Sequence, residues 1–199
     1  MPFHSVFITT NSRRYPSIDK KEARFKQITA LKNYPAEQRQ TETAQIVQQL
    51  QALPEWQAAT TIATTISGPF EVDTTAVIQA AQAAGKTIYL PKVMPKRQMA
   101  FMPHPGDDQL VRSHFGLLEP EYDVALMNNA PDLVVVPGLA YAQDSHKRLG
   151  FGGGYYDRFL ANYAGTTVTL ALPIQYVSTA FWPEDTFDIP LQHILTTHN

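Results

Sequence analysis

The stretch from Asp132 to Leu160, DLVVVPGLAYAQDSHKRLGFGGGYYDRFL, constrains the fold more than any other part of the chain. Leu133 to Val136 is an unbroken apolar run, closed by Pro137-Gly138. Such a run reads as a strand covered on both faces, because a half-exposed strand would alternate. A strand of that kind belongs to the middle layer of a mixed α/β domain, with helices shielding the sheet on either side. Four glycines then fall between Gly150 and Gly154, and a helix is expected from Tyr155 to Tyr163. That order puts a permissive backbone at the carboxyl end of a buried strand, where α/β proteins bind their ligands.

The flanking sequence supplies the other layers. Ser17 or Asp19 is placed to cap a first helix, with Ala23, Ile28 and Leu31 at helical spacing and Lys20, Lys21, Arg24 and Lys26 on other faces. Tyr34-Pro35 breaks it. A second helix is expected from Ala36 to Leu53, striped by Ile46, Val47 and Leu50 and ended by Pro54. Thr60 to Ile66 is rich in β-branched residues and reads as a strand. Ser67-Gly68-Pro69 turns the chain, Thr74 or Thr75 caps a helix running to Ala84, and Gly85 stops it. Lys86 to Leu90 is the next strand, which completes a strand–helix–strand unit and predicts a parallel sheet. Met99 to Met102 is a short strand, His104 to Asp123 a long loop, and Thr166 to Leu172 a further strand. A short apolar piece follows at Ile194-Leu195. The pattern predicts a three-layer α/β/α sandwich with a largely parallel central sheet. One domain is expected over residues 17–199, behind an N-terminal arm of residues 1–16.

Composition excludes several functions. The chain has no cysteine, which removes disulfides, zinc–thiolate sites and thiol nucleophiles. The net charge is -2, without the basic excess that gives nucleic-acid binders their affinity. No apolar run is long enough to cross a bilayer, and the N-terminus lacks the order of a secretory signal. A cytoplasmic protein without nucleic-acid or membrane partners is expected.

The glycine loop carries the chemistry. Glycines at 150, 152, 153 and 154 leave the peptide N–H groups open to an anion, and the following helix start adds its dipole. Lys147 and Arg148 precede the loop, and Arg grips phosphate with paired hydrogen bonds. Asp157 follows, where a carboxylate beside bound phosphates suits magnesium. Each feature also has a plain structural reading. The loop fits a simple turn, Asp157 fits a first-turn carboxylate facing the helix dipole, and one of Tyr155-Tyr156 fits core packing. GFGGG matches neither the Walker spacing nor the dinucleotide fingerprint.

The whole string resembles the signature of the 5-formyltetrahydrofolate cyclo-ligase (methenyltetrahydrofolate synthetase) family. VPGLAY followed by RLGFGGGYYDRFL carries that resemblance. Elsewhere it rests on Lys20 and Arg24, on Phe70-Glu71-Val72-Asp73-Thr74, on Phe115-Gly116 with Glu119-Pro120, and on Ala171, Gln175, Val177, Pro183, Glu184, Asp188 and Thr196. The resemblance implies a Rossmann-like fold of the NagB/RpiA/CoA-transferase-like kind. It also implies a monomeric enzyme that uses ATP and Mg2+ to close 5-formyltetrahydrofolate to 5,10-methenyltetrahydrofolate, with release of ADP and phosphate.

By the same resemblance, Lys20, Arg24 and the run Arg148, Leu149, Gly150, Phe151, Gly152, Gly153, Gly154, Tyr155 and Tyr156 contact ATP. Ile66, Glu71 and Phe151 to Tyr155 contact folate. Arg148, Tyr155 and Asp157 act in catalysis, and Asp157 with Asp188 holds the metal. Phe101 and Phe115 are candidates to stack on the folate or to fill the core. Spacing alone leaves Lys20 and Arg24 as a solvated helix face, Asp188 as a loop carboxylate, and Glu71 as a carboxylate near a helix N-terminus. The chain departs from the family pattern at Ala142, where an Asp is usual, and at Gly153, where some relatives carry Lys. Phe187 stands where His is common. Two other classes compete: a folate- or nucleotide-binding module without turnover, and a sugar-phosphate isomerase or acyl transferase using the loop for phosphate.

Overall fold

The computed structural model describes residues 18–114 and 116–197. The N-terminal arm, Ser17 as a helix cap, and Phe115 lie outside those residues. The helices are α1 (Lys20–Lys32), α2 (Ala36–Ala52), α3 (Pro54–Ala58), α4 (Thr75–Ala83) and α5 (Tyr155–Leu160). The strands are β1 (Thr61–Ala63), β2 (Thr87–Met94), β3 (Gln98–Pro103), β4 (Val111–Arg112), β5 (Leu118–Glu119), β6 (Leu133–Val135), β7 (Ala140–Ala142), β8 (Arg148–Leu149), β9 (Thr166–Leu170), β10 (Tyr176–Val177) and β11 (His193–Leu195).

Six strands form the central sheet in the order β11-β9-β6-β1-β2-β3, with a three-stranded and a two-stranded sheet beside it. Every pairing in the central sheet is parallel except β2 with β3. β1 sits between β6 and β2, so the chain winds outward from it in both directions. The crevice above that reversal is the ligand position that doubly wound sheets favour. As the apolar run requires, Leu133, Val134, Val135 and Val136 are all buried. Leu133 and Val135 join a core with α1 to α4 (Leu31, Ile46, Leu50, Trp56, Val77), while Val134 and Val136 join a second with Phe101, Tyr141 and Leu160. The strand is therefore covered on both faces, which is the three-layer arrangement.

Local signals explain most boundaries. Asp19 caps α1, its carboxylate accepting from the Glu22 N–H at 2.7 Å. Gly85 ends α4 with φ +69. Three expectations need correction. Pro54 does not simply end α2; it occupies the first turn of a new short helix, where its missing N–H costs nothing. The segment 104–123 is not all loop, because β4 and β5 pair within it around a turn held by Ser113 and Gly116. The last helix stops at Leu160, so α5 has six residues rather than nine.

At the amino ends of β1 and β6, Asp132 ties the two strands together. One oxygen, Oδ2, accepts from the N–H and hydroxyl groups of Thr60 and Thr61 at 2.8 to 2.9 Å. Those donors, the Thr60 N–H first, hold its carboxyl down at about 2.

Candidate active site

A cleft of about 1000 Å³ opens at the carboxyl ends of β1, β2 and β6. Three separate parts of the chain meet at one end of it. α1 contributes Lys20 and Arg24, one helical turn apart. β8 and the loop after it contribute Arg148 to Gly154, and the segment before β11 contributes Asp185 to Ile189.

Their side chains interlock. The Arg148 guanidinium is buried and donates to Asp157 Oδ1 at 2.8 Å and to the Ile189 carbonyl at 3.4 Å. Asp157 Oδ1 also accepts from the Ile189 N–H at 3.3 Å. The neighbouring residue, Asp188, accepts from Lys20 Nζ at 2.9 and 2.8 Å. Arg24 reaches across 126 positions of sequence to donate from Nε to the Gly150 carbonyl at 2.8 Å. A charged group held by a carboxylate or carbonyl is kept in place, and it can exchange that partner for a phosphate oxygen.

The glycines allow this closeness at two positions. Gly152 has φ +102, and a Cβ there would stand 3.3 Å from the Arg24 guanidinium carbon. Gly154 has φ +68 and leads directly into α5. Among the described residues, nothing accepts a hydrogen bond from the peptide N–H groups of Phe151 to Gly154. Open peptide N–H groups next to clustered cations make a concavity of the kind that can receive an anion. The helix dipole has little share in it, because six residues align few peptide units.

The sequence of this chain matches the model of the 5-formyltetrahydrofolate cyclo-ligase family over residues 16–197. The chain belongs to that family. It is 32% identical to the 5-formyltetrahydrofolate cyclo-ligase of Haemophilus influenzae over 174 residues, covering 84% of this chain and 89% of that one. It is also 32% identical to the enzyme of that name from Escherichia coli K12, covering 80% and 90%. Among solved structures, it is similar to the 5,10-methenyltetrahydrofolate synthetase of Aquifex aeolicus, with a TM-score of 0.77, 30% identity and 90% of each chain covered.

Within this member of the cyclo-ligase family, the residues singled out by sequence divide into three groups. Lys20, Arg24, Ile66, Glu71, Arg148 to Asp157 and Asp188 all line the one cleft. Phe101 does not: it is buried edge-on against Phe159, 4.9 Å away, so it is a core residue. Tyr156 does both, lining the cleft while packing its ring against the second core, 5.9 Å from the Arg148 guanidinium. Its hydroxyl is buried without a partner among the described residues, and burial pushes its pKa up. Glu71 accepts from the Gly68 N–H at 2.5 Å, yet burial outweighs that bond and raises its pKa.

The Gly153 departure leaves room for the Tyr155 ring. A Cβ at that position would lie 2.6 Å from the Tyr155 ring, so a lysine there requires Tyr155 to move. Sequence reading missed Glu119 as a cleft residue. It noted the Glu-Pro pair but had no sign that the carboxylate is buried.

Proposed function

We propose that this chain closes 5-formyltetrahydrofolate to 5,10-methenyltetrahydrofolate with ATP, releasing ADP and phosphate. The observation that carries the proposal is the meeting of Arg24, Arg148 and the open peptide N–H groups of residues 151–154 at one end of a cleft whose other walls are apolar and acidic.

An amide oxygen is a poor leaving group, so ring closure needs activation. The formyl oxygen attacks the γ-phosphorus, and the bond from that phosphorus to ADP breaks. The second folate nitrogen then attacks the one-carbon centre. Loss of its proton and departure of phosphate with the C–O electron pair give the methenyl product. The protein contributes position and charge. Arg148 donates to the transferring phosphoryl group, Lys20 and Arg24 hold the remaining phosphate oxygens, and Tyr155 orders the loop beside the reacting atoms. Leu149, Gly150 and Phe151 to Tyr156 complete the nucleotide wall. Ile66, Glu71 and Phe151 to Tyr155 hold the folate, Glu71 accepting from pterin N–H groups.

Among the described residues, no cluster of three or more His, Cys, Asp or Glu side chains is arranged to hold a metal. Asp157 and Asp188 are linked through the Ile189 peptide, and this two-carboxylate set fits Mg2+ when nucleotide oxygens and water supply the other ligands. Bound there, Mg2+ would neutralise phosphate charge. Lys20 and Arg148, now paired with those carboxylates, would turn to the phosphates. No helix among the described residues is long and apolar enough to cross a membrane. A cytoplasmic monomer without nucleic-acid or membrane partners completes the reading.

The test is absorbance of the methenyl product on mixing purified protein with 5-formyltetrahydrofolate. Product should form only with ATP and Mg2+. Folate binding without any turnover would favour the non-catalytic alternative instead.

A further inference from the structure

The carboxylates lining the cleft are almost all engaged. Asp157 is held by Arg148, Asp188 by Lys20, and Glu71 accepts from Gly68. Glu119 differs. It sits on β5 beside Leu117 and Leu118 in the cleft wall and is only 3% exposed. Its Oε2 lies 3.3 Å from Lys92 Nζ. Its Oε1 is buried and has no hydrogen-bond partner among the described residues. Native proteins rarely leave a buried carboxylate oxygen idle, since its desolvation is then uncompensated.

Two further facts bear on that oxygen, which lies just beneath the cleft surface and must be uncovered by a small turn of its side chain to meet a ligand. Pro91 and Val93 of β2 line the cleft, whereas Lys92 between them does not. Alternation along the strand therefore puts Lys92 on the other side of the wall, from which it holds Glu119 by one oxygen only. Around Glu119 the lining is apolar, with Val93, Met99, Leu117 and Leu118. A carboxylate in such a wall repels a triphosphate and suits a neutral ring that brings N–H donors.

We propose that Glu119 Oε1 accepts a hydrogen bond from an N–H of the bound folate that Glu71 does not reach. This rests on the folate reading of the cleft. Glu119 is then a positioning residue: with Glu71 on the β1–α4 connection and Glu119 on the hairpin, the folate is held from two walls. Its formyl oxygen is thereby turned toward the glycine loop.

The test compares wild type, Glu119→Gln and Lys92→Met by folate dissociation constant without ATP, by folate and ATP KM, and by melting temperature. Glu119→Gln should weaken folate binding about 10- to 100-fold, the range for losing one charge-assisted hydrogen bond, and leave the ATP KM unchanged. Lys92→Met keeps the acceptor and should weaken it at most a few-fold. Equal losses in the two variants, or no loss in Glu119→Gln, would make Glu119 a latch for the hairpin and overturn the proposal. If Glu119→Gln does not fold, the double variant Lys92→Met with Glu119→Met replaces the pair by apolar residues. Lost folate affinity in that folded protein supports the proposal, and retained affinity refutes it. Wild type that binds no folate at all would instead refute the function on which the proposal rests.

Discussion

The two ends of the central sheet treat their carboxylates in opposite ways. At the amino ends of β1 and β6, Asp132 is exposed, yet four donors from Thr60 and Thr61 surround one of its oxygens and hold its carboxyl down at about 2. At the carboxyl ends, Glu71 is half-buried with its pKa raised, and Glu119 keeps a buried oxygen without a donor among the described residues. The first end spends its polar groups on joining strands. The second leaves polar groups incompletely satisfied within a cleft, which is where a ligand can complete them. Perturbed pKa values and unpaired groups of this sort mark the working end of a fold.

The contrast can be broken by substitution. The largest effect should come from Arg148→Met, which removes the donor proposed to meet the transferring phosphoryl group. A fall in kcat of roughly 10²- to 10³-fold is expected, the usual loss for one preorganised donor. Circular dichroism should show the fold retained; an unchanged kcat would remove Arg148 from the chemistry.

Glu71→Gln should act next most strongly, and in two directions. Folate KM should rise on the order of tenfold as a charge-assisted acceptor becomes neutral. The melting temperature at neutral pH should stay level or rise, because the folded state no longer buries a charge. The sign follows from the raised pKa of Glu71: folding favours its protonated form, so its penalty grows as pH climbs past the ordinary carboxylate range. A lower melting temperature with normal folate KM would make Glu71 a structural residue.

Asp132→Asn should be the mildest, costing stability of about 1 kcal/mol and leaving both KM values alone. Because Asp132 has a depressed pKa, its contribution is present above the ordinary value near 4 and is lost as pH falls toward about 2. Acid titration of wild type should show that slope, and the variant should lack it. Any loss of activity at neutral pH would blur the division between the two ends.

The same division decides what the sequence could show. Leu133 to Val136 declared a doubly covered strand because burial on both faces leaves no alternation to hide. Gly85 and Asp19 declared helix boundaries because a positive φ and a cap are local matters. The hairpin of β4 and β5 stayed invisible, since strands of two residues carry no period and depend on the Gly116 turn and the Arg112 bond to its carbonyl. Pro54 was ambiguous for a similar reason: proline ends one helix and begins another equally well.

For the site, the glycine loop was legible from its own residues. The approach of Arg24 to Gly150 and of Lys20 to Asp188 was not, because those contacts span 126 and 168 positions. Only the family resemblance brought them to one place. Glu119 appeared as part of a motif without a role, since the burial that makes it interesting is a property of the folded wall.

Coupling of ATP use to ring closure is read by counting two products in the same reaction: phosphate released and methenyltetrahydrofolate formed. One phosphate per ring closed, with neither appearing when ATP or the folate is withheld, is the predicted result. Phosphate released without ring closure, or ring closure without ATP, would contradict it.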